Sequence, residues 1–390
     1  MNRHLWLLTI CQGLFLTNNV AFIAINGLVG LALAPQAWMA TFPVMGYVVG
    51  GALSTGWVAR TQRRFGRRAS FQIGLAVAFA SALACAAAVL VHAFWLLCAA
   101  TVVAGYYNAN ATLYRFAAAE LAAPEWREKA VSLVMAGGLI GAVAGPNLAA
   151  VTRQWFGAPF AGAYVALAGV AVLAAALMYF IRFPAPPAHV AGKGGRPLAE
   201  IARQPVFIVA AMAGALGFGV MNLLMAATPL AMQVCGLPFE DMALVLEWHV
   251  IGMFAPGFFT GHLIRRFGAL PVMAMGLLLN FGCIAVALSG VDLHRFLIAL
   301  FLLGVGWNFL FTGSTTLSLS AYNPEEKDRA QGALNFCIFA TLALSSLASG
   351  VLVTTQGWQW LNIGSLLPVA LTGAGLLWLA RVRRLAPKAA

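Results

Sequence analysis

The 390-residue chain is 62% hydrophobic and only 9% charged, with a mean hydropathy of +0.87, against about 25% charged residues in a soluble globular domain. That composition excludes a soluble enzyme or binding module and places the chain in a lipid bilayer. Its net charge of +12 would fit a nucleic-acid partner only if the basic residues shared one patch. They are scattered between apolar runs instead, so no nucleic-acid partner is expected.

Twelve apolar stretches follow one another, each near the roughly 20 residues that cross a bilayer as a helix: 4–30, 36–58, 69–91, 94–119, 130–151, 159–181, 205–231, 241–263, 269–289, 295–320, 330–353 and 359–380. The first is followed by Ala32-Leu33-Ala34, a triplet of the kind signal peptidase cuts. Its apolar run is far longer than the roughly 7–15 residues of a signal-peptide core, so it reads as a retained helix. Between the second and third stretches lies Arg63-Arg64-Phe65-Gly66, and between the fourth and fifth Pro124-Glu125-Trp126-Arg127-Glu128-Lys129-Ala130. After the sixth comes a polar segment rich in Pro and Gly, with Pro184-Ala185-Pro186-Pro187 and Gly192-Lys193-Gly194-Gly195-Arg196-Pro197. Both motifs then return, as Arg265-Arg266-Phe267-Gly268 and Pro324-Glu325-Glu326-Lys327-Asp328-Arg329-Ala330, at the same places in the second half.

The chain is thus written twice. It predicts an all-α membrane protein of twelve transmembrane helices in two pseudo-symmetric six-helix bundles, residues 1–182 and 205–390, joined by a linker over 183–204. Threading the stretches back and forth puts all of the 23 Lys and Arg residues on one side except Arg153 and Arg295. By the positive-inside rule that side is cytoplasmic, with both termini on it, in a cell membrane of the bacterial inner-membrane kind. Cys11, Cys85, Cys98, Cys283 and Cys337 fall inside spans, Cys235 lies near the other face, and no CxxC spacing occurs, so neither disulfides nor a metal site is expected. No cofactor is expected either, and without a Gly-x-x-x-x-Gly-Lys-[Ser/Thr] loop the chain does not use ATP directly.

With these repeats in place, the whole chain resembles the major facilitator superfamily. That family carries Gly-x-Leu-Ala-Asp-Arg-x-Gly-Arg-Arg between its second and third helices. The matching stretches here are Ala59-Arg60-Thr61-Gln62-Arg63-Arg64-Phe65-Gly66-Arg67-Arg68 and Gly261-His262-Leu263-Ile264-Arg265-Arg266-Phe267-Gly268. The resemblance makes Arg63, Arg64, Gly66, Arg265, Arg266 and Gly268 conformational residues. Both copies hold Arg, at positions 63 and 265, where the family has the Asp that latches its halves. The fifth span has Gly137, Gly141 and Gly145-Pro146, similar to the family's antiporter motif except that Ala149-Ala150 replace its final glycines. Spacing of four puts these glycines on one helix face for close packing; the resemblance makes Gly141, Gly145 and Pro146 conformational residues and leans toward exchange over symport, with tight packing alone as the alternative.

The resemblance also implies that spans 1, 4, 7 and 10 line a central cavity. Each has an asparagine near its midpoint: Asn18 (followed by Asn19), Asn108, Asn222 and Asn308; between the halves, Gly13 with Asn18 matches Gly217 with Asn222, and Tyr107-Asn108 matches Trp307-Asn308. An uncharged amide donates and accepts hydrogen bonds, and in hydrocarbon it turns toward other helices or a wet cavity. Asn18, Asn19, Tyr107, Asn108, Asn222, Trp307 and Asn308 are therefore the candidate substrate-binding residues, with interhelical bonding as the alternative for each amide. The acid found on the first helix of many family drug exporters is replaced by Thr17-Asn18-Asn19.

Among the acidic residues, Glu247 alone lies well inside a span, followed by Trp248 and His249. A charge at the bilayer centre costs about 2.5–3.5 kcal/mol on insertion scales, so it marks a functional position. Glu247 and His249 are the candidate proton-coupling residues, although a separation of two residues puts them on different helix faces. Arg115, near the end of the fourth span, either snorkels, pairs with Glu120 or meets an anionic group. The expectation is a monomeric secondary transporter in lipid that moves a small organic molecule by alternating access, driven by protons. Export of a drug or metabolite stands ahead of uptake of a polar nutrient or vitamin, with a transport-inactive sensor as the third reading.

Overall fold

The computed structural model describes residues 3–123, 126–184, 195–323 and 326–385, and no strand occurs among them. Pro124-Glu125 and Pro324-Glu325 of the repeated motif, and most of the linker, lie outside the described residues. The first half comprises α1 (Arg3–Leu33), α2 (42–65), α3 (67–90), α4 (Phe94–Ala111 and Tyr114–Leu121), α5 (Arg127–Ala136 and Gly138–Thr152) and α6 (Ala161–Tyr179). The second comprises α7 (Pro205–Val234), α8 (Phe239–Phe254 and Gly257–Phe267), α9 (Ala269–Leu288), α10 (Leu293–Ser318), α11 (Lys327–Thr355) and α12 (Gly357–Leu385).

Among the described residues, ten stretches are long and apolar enough to cross a membrane. One of them, Ala37–Leu90, holds both α2 and α3. The helix missing from the ten is α4, whose Tyr106-Tyr107-Asn108-Ala109-Asn110 run is polar and which breaks after Ala111. The multi-pass, all-helical architecture is therefore the expected one, with its most polar transmembrane segment in the middle of the first bundle.

The repeated tetrapeptide folds the same way twice. Gly66 has φ 78, ψ 172 and Gly268 has φ 89, ψ 164. Arg64 stands 5.2 Å from the Phe65 ring centroid and Arg266 stands 5.3 Å from that of Phe267. That backbone region is open essentially to glycine alone. A Cβ on Gly66 would meet nothing within 4 Å, so Gly66→Ala isolates backbone strain from any clash. We expect it to cost about 1–3 kcal/mol of stability, seen as a lowered unfolding midpoint in detergent. An unchanged midpoint would show that the turn relaxes. Arg63 and Arg265 are exposed and form no ion pair among the described residues.

The two bundles do not meet evenly. One apolar core spans both, with Val20, Phe22 and Ile25 of α1 against Met221, Leu224 and Leu230 of α7. Toward the arginine-rich face each bundle has its own core: Leu5, Leu8, Phe71, Tyr114 and Met178 in the first, Val209, Met273, Leu317 and Leu379 in the second. The bundles are thus sealed together in the arginine-poor half.

On the arginine-rich face the linker is pinned to the second bundle. Arg196 donates through Nε and Nη2 to Glu326 at 2.9 and 2.8 Å, and its backbone N–H donates to the same carboxylate at 2.7 Å. The Arg196 side-chain hydrogen bonds hold the Glu326 carboxyl down to about 2 from an ordinary 4.5, with the Asn323 and Arg196 backbone N–H groups adding to the effect. A depressed carboxyl pKa contributes stability that is present above 4.5 and lost as pH falls through about 2. Pepsin should therefore cut the 183–204 linker faster at pH 2 than at pH 4, and Glu326→Gln should already be cut at pH 4. Equal cleavage of both chains at pH 4 would rule out the pin.

Candidate functional site

Four side chains from three helices of the second bundle gather at its centre. Trp307 and Phe311, one turn apart on α10, stack with centroids 5.1 Å apart at an interplanar angle of 10°. Phe218 of α7 stands edge-on to both, at 5.1 Å from Trp307 and 5.4 Å from Phe311. Phe254 of α8 completes the group, 6.3 Å from Trp307, and packs against the core of the first bundle. Stacked and edge-to-face rings are the favoured aromatic geometries, and a flat ligand can extend such a group. Trp307 is 7% exposed, and its indole Nε1 has no hydrogen-bond partner among the described residues. A buried donor left unpaired costs about 1–3 kcal/mol, so Trp307 Nε1 is a ready donor for a ligand acceptor.

The four midpoint amides are divided between two roles. Asn222 donates to Ser345 Oγ at 2.9 Å and Ser346 Oγ at 2.8 Å, tying α7 to α11. Asn308 donates to the Met253 carbonyl at 2.7 Å and accepts from Thr260 Oγ1 at 2.7 Å, tying α10 to α8. Both are therefore engaged in interhelical bonds, the alternative foreseen for them. Asn18 and Asn108 have no side-chain hydrogen bond among the described residues, and Asn108 faces α2, its Nδ2 lying 3.4 Å from a Cβ built on Gly51. Asn19 donates to the Tyr47 hydroxyl at 3.2 Å. Tyr107 is buried in the apolar core of the first bundle, edge-on to Phe15 at 5.5 Å, and is not brought to the aromatic group. The amides do not form one hydrogen-bonded ring. Each helix is rotated by its own packing, so equal depth does not give a common direction.

Glu247 is half-buried and its carboxylate accepts from Asn147 Nδ2 at 2.9 Å. This bond crosses between α5 and α8, hence between the bundles, in their sealed half. Further joints lie in the same half. Thr41 Oγ1 donates to the Ser346 carbonyl at 2.6 Å and accepts from the Gly350 N–H at 3.1 Å. Arg153 pairs with Glu240 at 3.5 Å, and Phe160 meets Phe239 at 5.1 Å. His249 points elsewhere: it is fully buried, its Nδ1 is 2.6 Å from the Leu300 carbonyl of α10, and Nε2 has no partner among the described residues. Glu247 and His249 therefore do not form a pair, as their helix spacing foretold.

Arg115 does not pair with Glu120, because Arg67 holds that carboxylate at 2.6 Å. Its Nε is buried without a partner among the described residues and its guanidinium lies 4.9 Å from the Phe116 ring. Gly141 and Gly145 are packing residues: a Cβ on Gly141 would lie 2.5 Å from the backbone of Leu16 and Thr17, and one on Gly145 would lie 2.9 Å from the Thr17 carbonyl oxygen. Pro146 stands inside the same helix. The sequence reading missed Phe218, Phe254, Asn147 and Thr41. Asn147 had a signal, being an amide next to Pro146 at the depth of Glu247, whereas the two phenylalanines were unremarkable among 26.

Comparison with known proteins agrees with this architecture. The pattern described as Major Facilitator Superfamily matches residues 5–257 and 243–390. A protein of Brucella anthropi named riboflavin transporter RfnT is 38% identical over 363 residues, covering 92% of this chain and 91% of that protein. A Bacillus subtilis protein named uncharacterized MFS-type transporter YdeG is 28% identical over 388 residues, covering 95% and 90%. Among solved structures, a bacterial homologue of the human lysosomal transporter Spinster superposes with a TM-score of 0.75 at 14% identity, over 97% of this chain and 96% of the other. The xylose transporter XylE of E. coli gives 0.70 at 14% identity, over 99% and 98%.

Proposed function

The chain belongs to the major facilitator superfamily, a transporter and not an enzyme, and from that premise we propose that it takes up riboflavin or a closely similar flavin. The carrying observation is the group formed by Phe218, Phe254, Trp307 and Phe311 with the unpaired Trp307 Nε1. A flavin presents a flat tricyclic face to such rings and carbonyl acceptors along its edge. Its ribityl hydroxyls and imide match uncharged amides, for which Asn18 and Asn108 are the available donors and acceptors. The similarity to a riboflavin transporter supports the same reading.

This moves the balance from export, which the sequence reading placed first, to vitamin uptake. The antiporter-like glycines of α5, which lean toward exchange over symport, sit against α1 in a packing role without direction.

With the arginine-rich face taken as cytoplasmic, the joints Asn147–Glu247, Thr41–Ser346 and Arg153–Glu240 lie on the outer side. Uptake then requires the outer seam to open. Glu247 is the proposed coupling group. Ionised, it holds Asn147 by a charge-assisted bond across the seam; protonated from outside, it loses that acceptor strength and favours opening. Glu247→Gln should leave riboflavin binding intact but abolish the stimulation of uptake by an inward proton gradient. Unchanged gradient-driven flux would discard the role.

The test of the main proposal is riboflavin binding, read as quenching of flavin fluorescence by the purified chain, with accumulation in proteoliposomes. Absence of both would reject a flavin substrate. Binding without accumulation would favour the sensor reading.

A further inference from the structure

On the arginine-rich face, away from the central site, a cavity of about 350 Å³ is lined by Arg3, Leu7, Arg68, Tyr179, Phe180 and Arg182. It lies where the start of α1, the start of α3 and the end of α6 converge. Three guanidinium groups share it and no carboxylate lines it. None of the three forms an ion pair among the described residues, and Glu120 is held by Arg67, the residue before Arg68. Arg68 is placed by the Tyr179 ring, 4.4 Å from its centroid. The Arg182 N–H lies 3.5 Å from His4 Nδ1, joining two walls of the cavity.

Like charges converging without a counter-ion repel one another, and an anion that accepts from several guanidinium forks relieves that repulsion. The apolar half of the lining identifies the anion's source. Tyr179 and Phe180 are each 62% exposed and stand beside Leu7, at the level where a helix end meets the headgroup region. A soluble anion gains nothing from such a flank, whereas acyl chains do. Basic pockets between helices on the cytoplasmic side are suited to acidic headgroups.

We propose that this cavity seats the phosphodiester of an anionic phospholipid, Arg3, Arg68 and Arg182 holding the phosphate and Leu7, Tyr179 and Phe180 flanking the acyl chains. The site is independent of the substrate carried. The full chain, delipidated in a neutral detergent, would be given equal phosphatidylglycerol and phosphatidylcholine and examined by native mass spectrometry. The unmodified chain is expected to retain one phosphatidylglycerol in preference to phosphatidylcholine. Each substitution among Arg3→Gln, Arg68→Gln and Arg182→Gln should weaken retention about fivefold, and the triple variant should show no preference. Arg383→Gln with Arg384→Gln, on α12 and outside the cavity, should leave the preference unchanged.

Equal retention of the two lipids by the unmodified chain would overturn the proposal. So would full retention by the triple variant, or an equal loss in the α12 control. Inorganic phosphate at millimolar concentration should not displace the lipid; displacement would assign the cavity to soluble anions instead. Should the triple variant fail to fold, Arg182→Gln alone decides, and less than a twofold change would overturn the site.

Discussion

Trp307→Ala is expected to weaken riboflavin binding roughly thirtyfold, the effect of about 2 kcal/mol typical of a buried aromatic anchor. Trp307 stacks on Phe311 and receives the edges of Phe218 and Phe254, so its removal dismantles the platform and not one contact. The same truncation also leaves a cavity that lowers stability by about 3–5 kcal/mol. Binding must therefore be measured per folded molecule by titration of flavin fluorescence. Trp307→Phe separates the two contributions. It keeps a ring beside Phe311 but removes Nε1–H, which has no protein partner among the described residues. We expect a loss near fivefold, about 1 kcal/mol for one hydrogen bond, with little change in thermal midpoint. Undiminished binding by Trp307→Ala would move the substrate site elsewhere; undiminished binding by Trp307→Phe would remove only the donor role.

Gly141→Leu should abolish folding. A first side-chain carbon at Gly141 already falls 2.5 Å from the Leu16 carbonyl carbon and the Thr17 nitrogen, and these are backbone atoms that cannot rotate aside. α1 and α5 would have to separate, losing contacts along the bundle, where overpacking typically costs about 1–3 kcal/mol and more when backbone is displaced. Gly141→Ala should therefore lower the unfolding midpoint measurably and Gly141→Leu should leave little monodisperse protein in detergent. Gly169→Ala on α6, where a Cβ meets nothing within 4 Å, should stay within about 0.5 kcal/mol of the unmodified chain. A Gly141→Ala chain as stable as the Gly169→Ala chain would refute the close approach of α1 and α5.

The candidate site was legible in part. The amides were found because polar groups are rare in apolar spans, and Glu247 for the same reason. Their partners were not found, since each lies on another helix: Asn147 for Glu247 and Ser345 with Ser346 for Asn222. Arg115 is similar. Its position in a span was plain, but the loss of Glu120 to Arg67 depends on how α3 and α4 pack. Phenylalanine carries no such rarity signal, so Phe218 and Phe254 emerged only when α7 and α8 were seen to bring them to Trp307.

The linear sequence by itself determined the helices, their duplication and the side on which charge accumulates. These follow from local quantities: apolar length set by bilayer thickness, a glycine-requiring turn repeated at positions 66 and 268, and arginines that, Arg153 and Arg295 apart, fall on alternate connections. Tertiary structure alone decided that the bundles seal in the arginine-poor half, which amides remain without partners, and where three arginines converge. Helix rotation and crossing fix those outcomes. They arise from the summed packing of whole helix faces, as when Gly141 meets the Leu16 backbone, and no single stretch of residues specifies that sum.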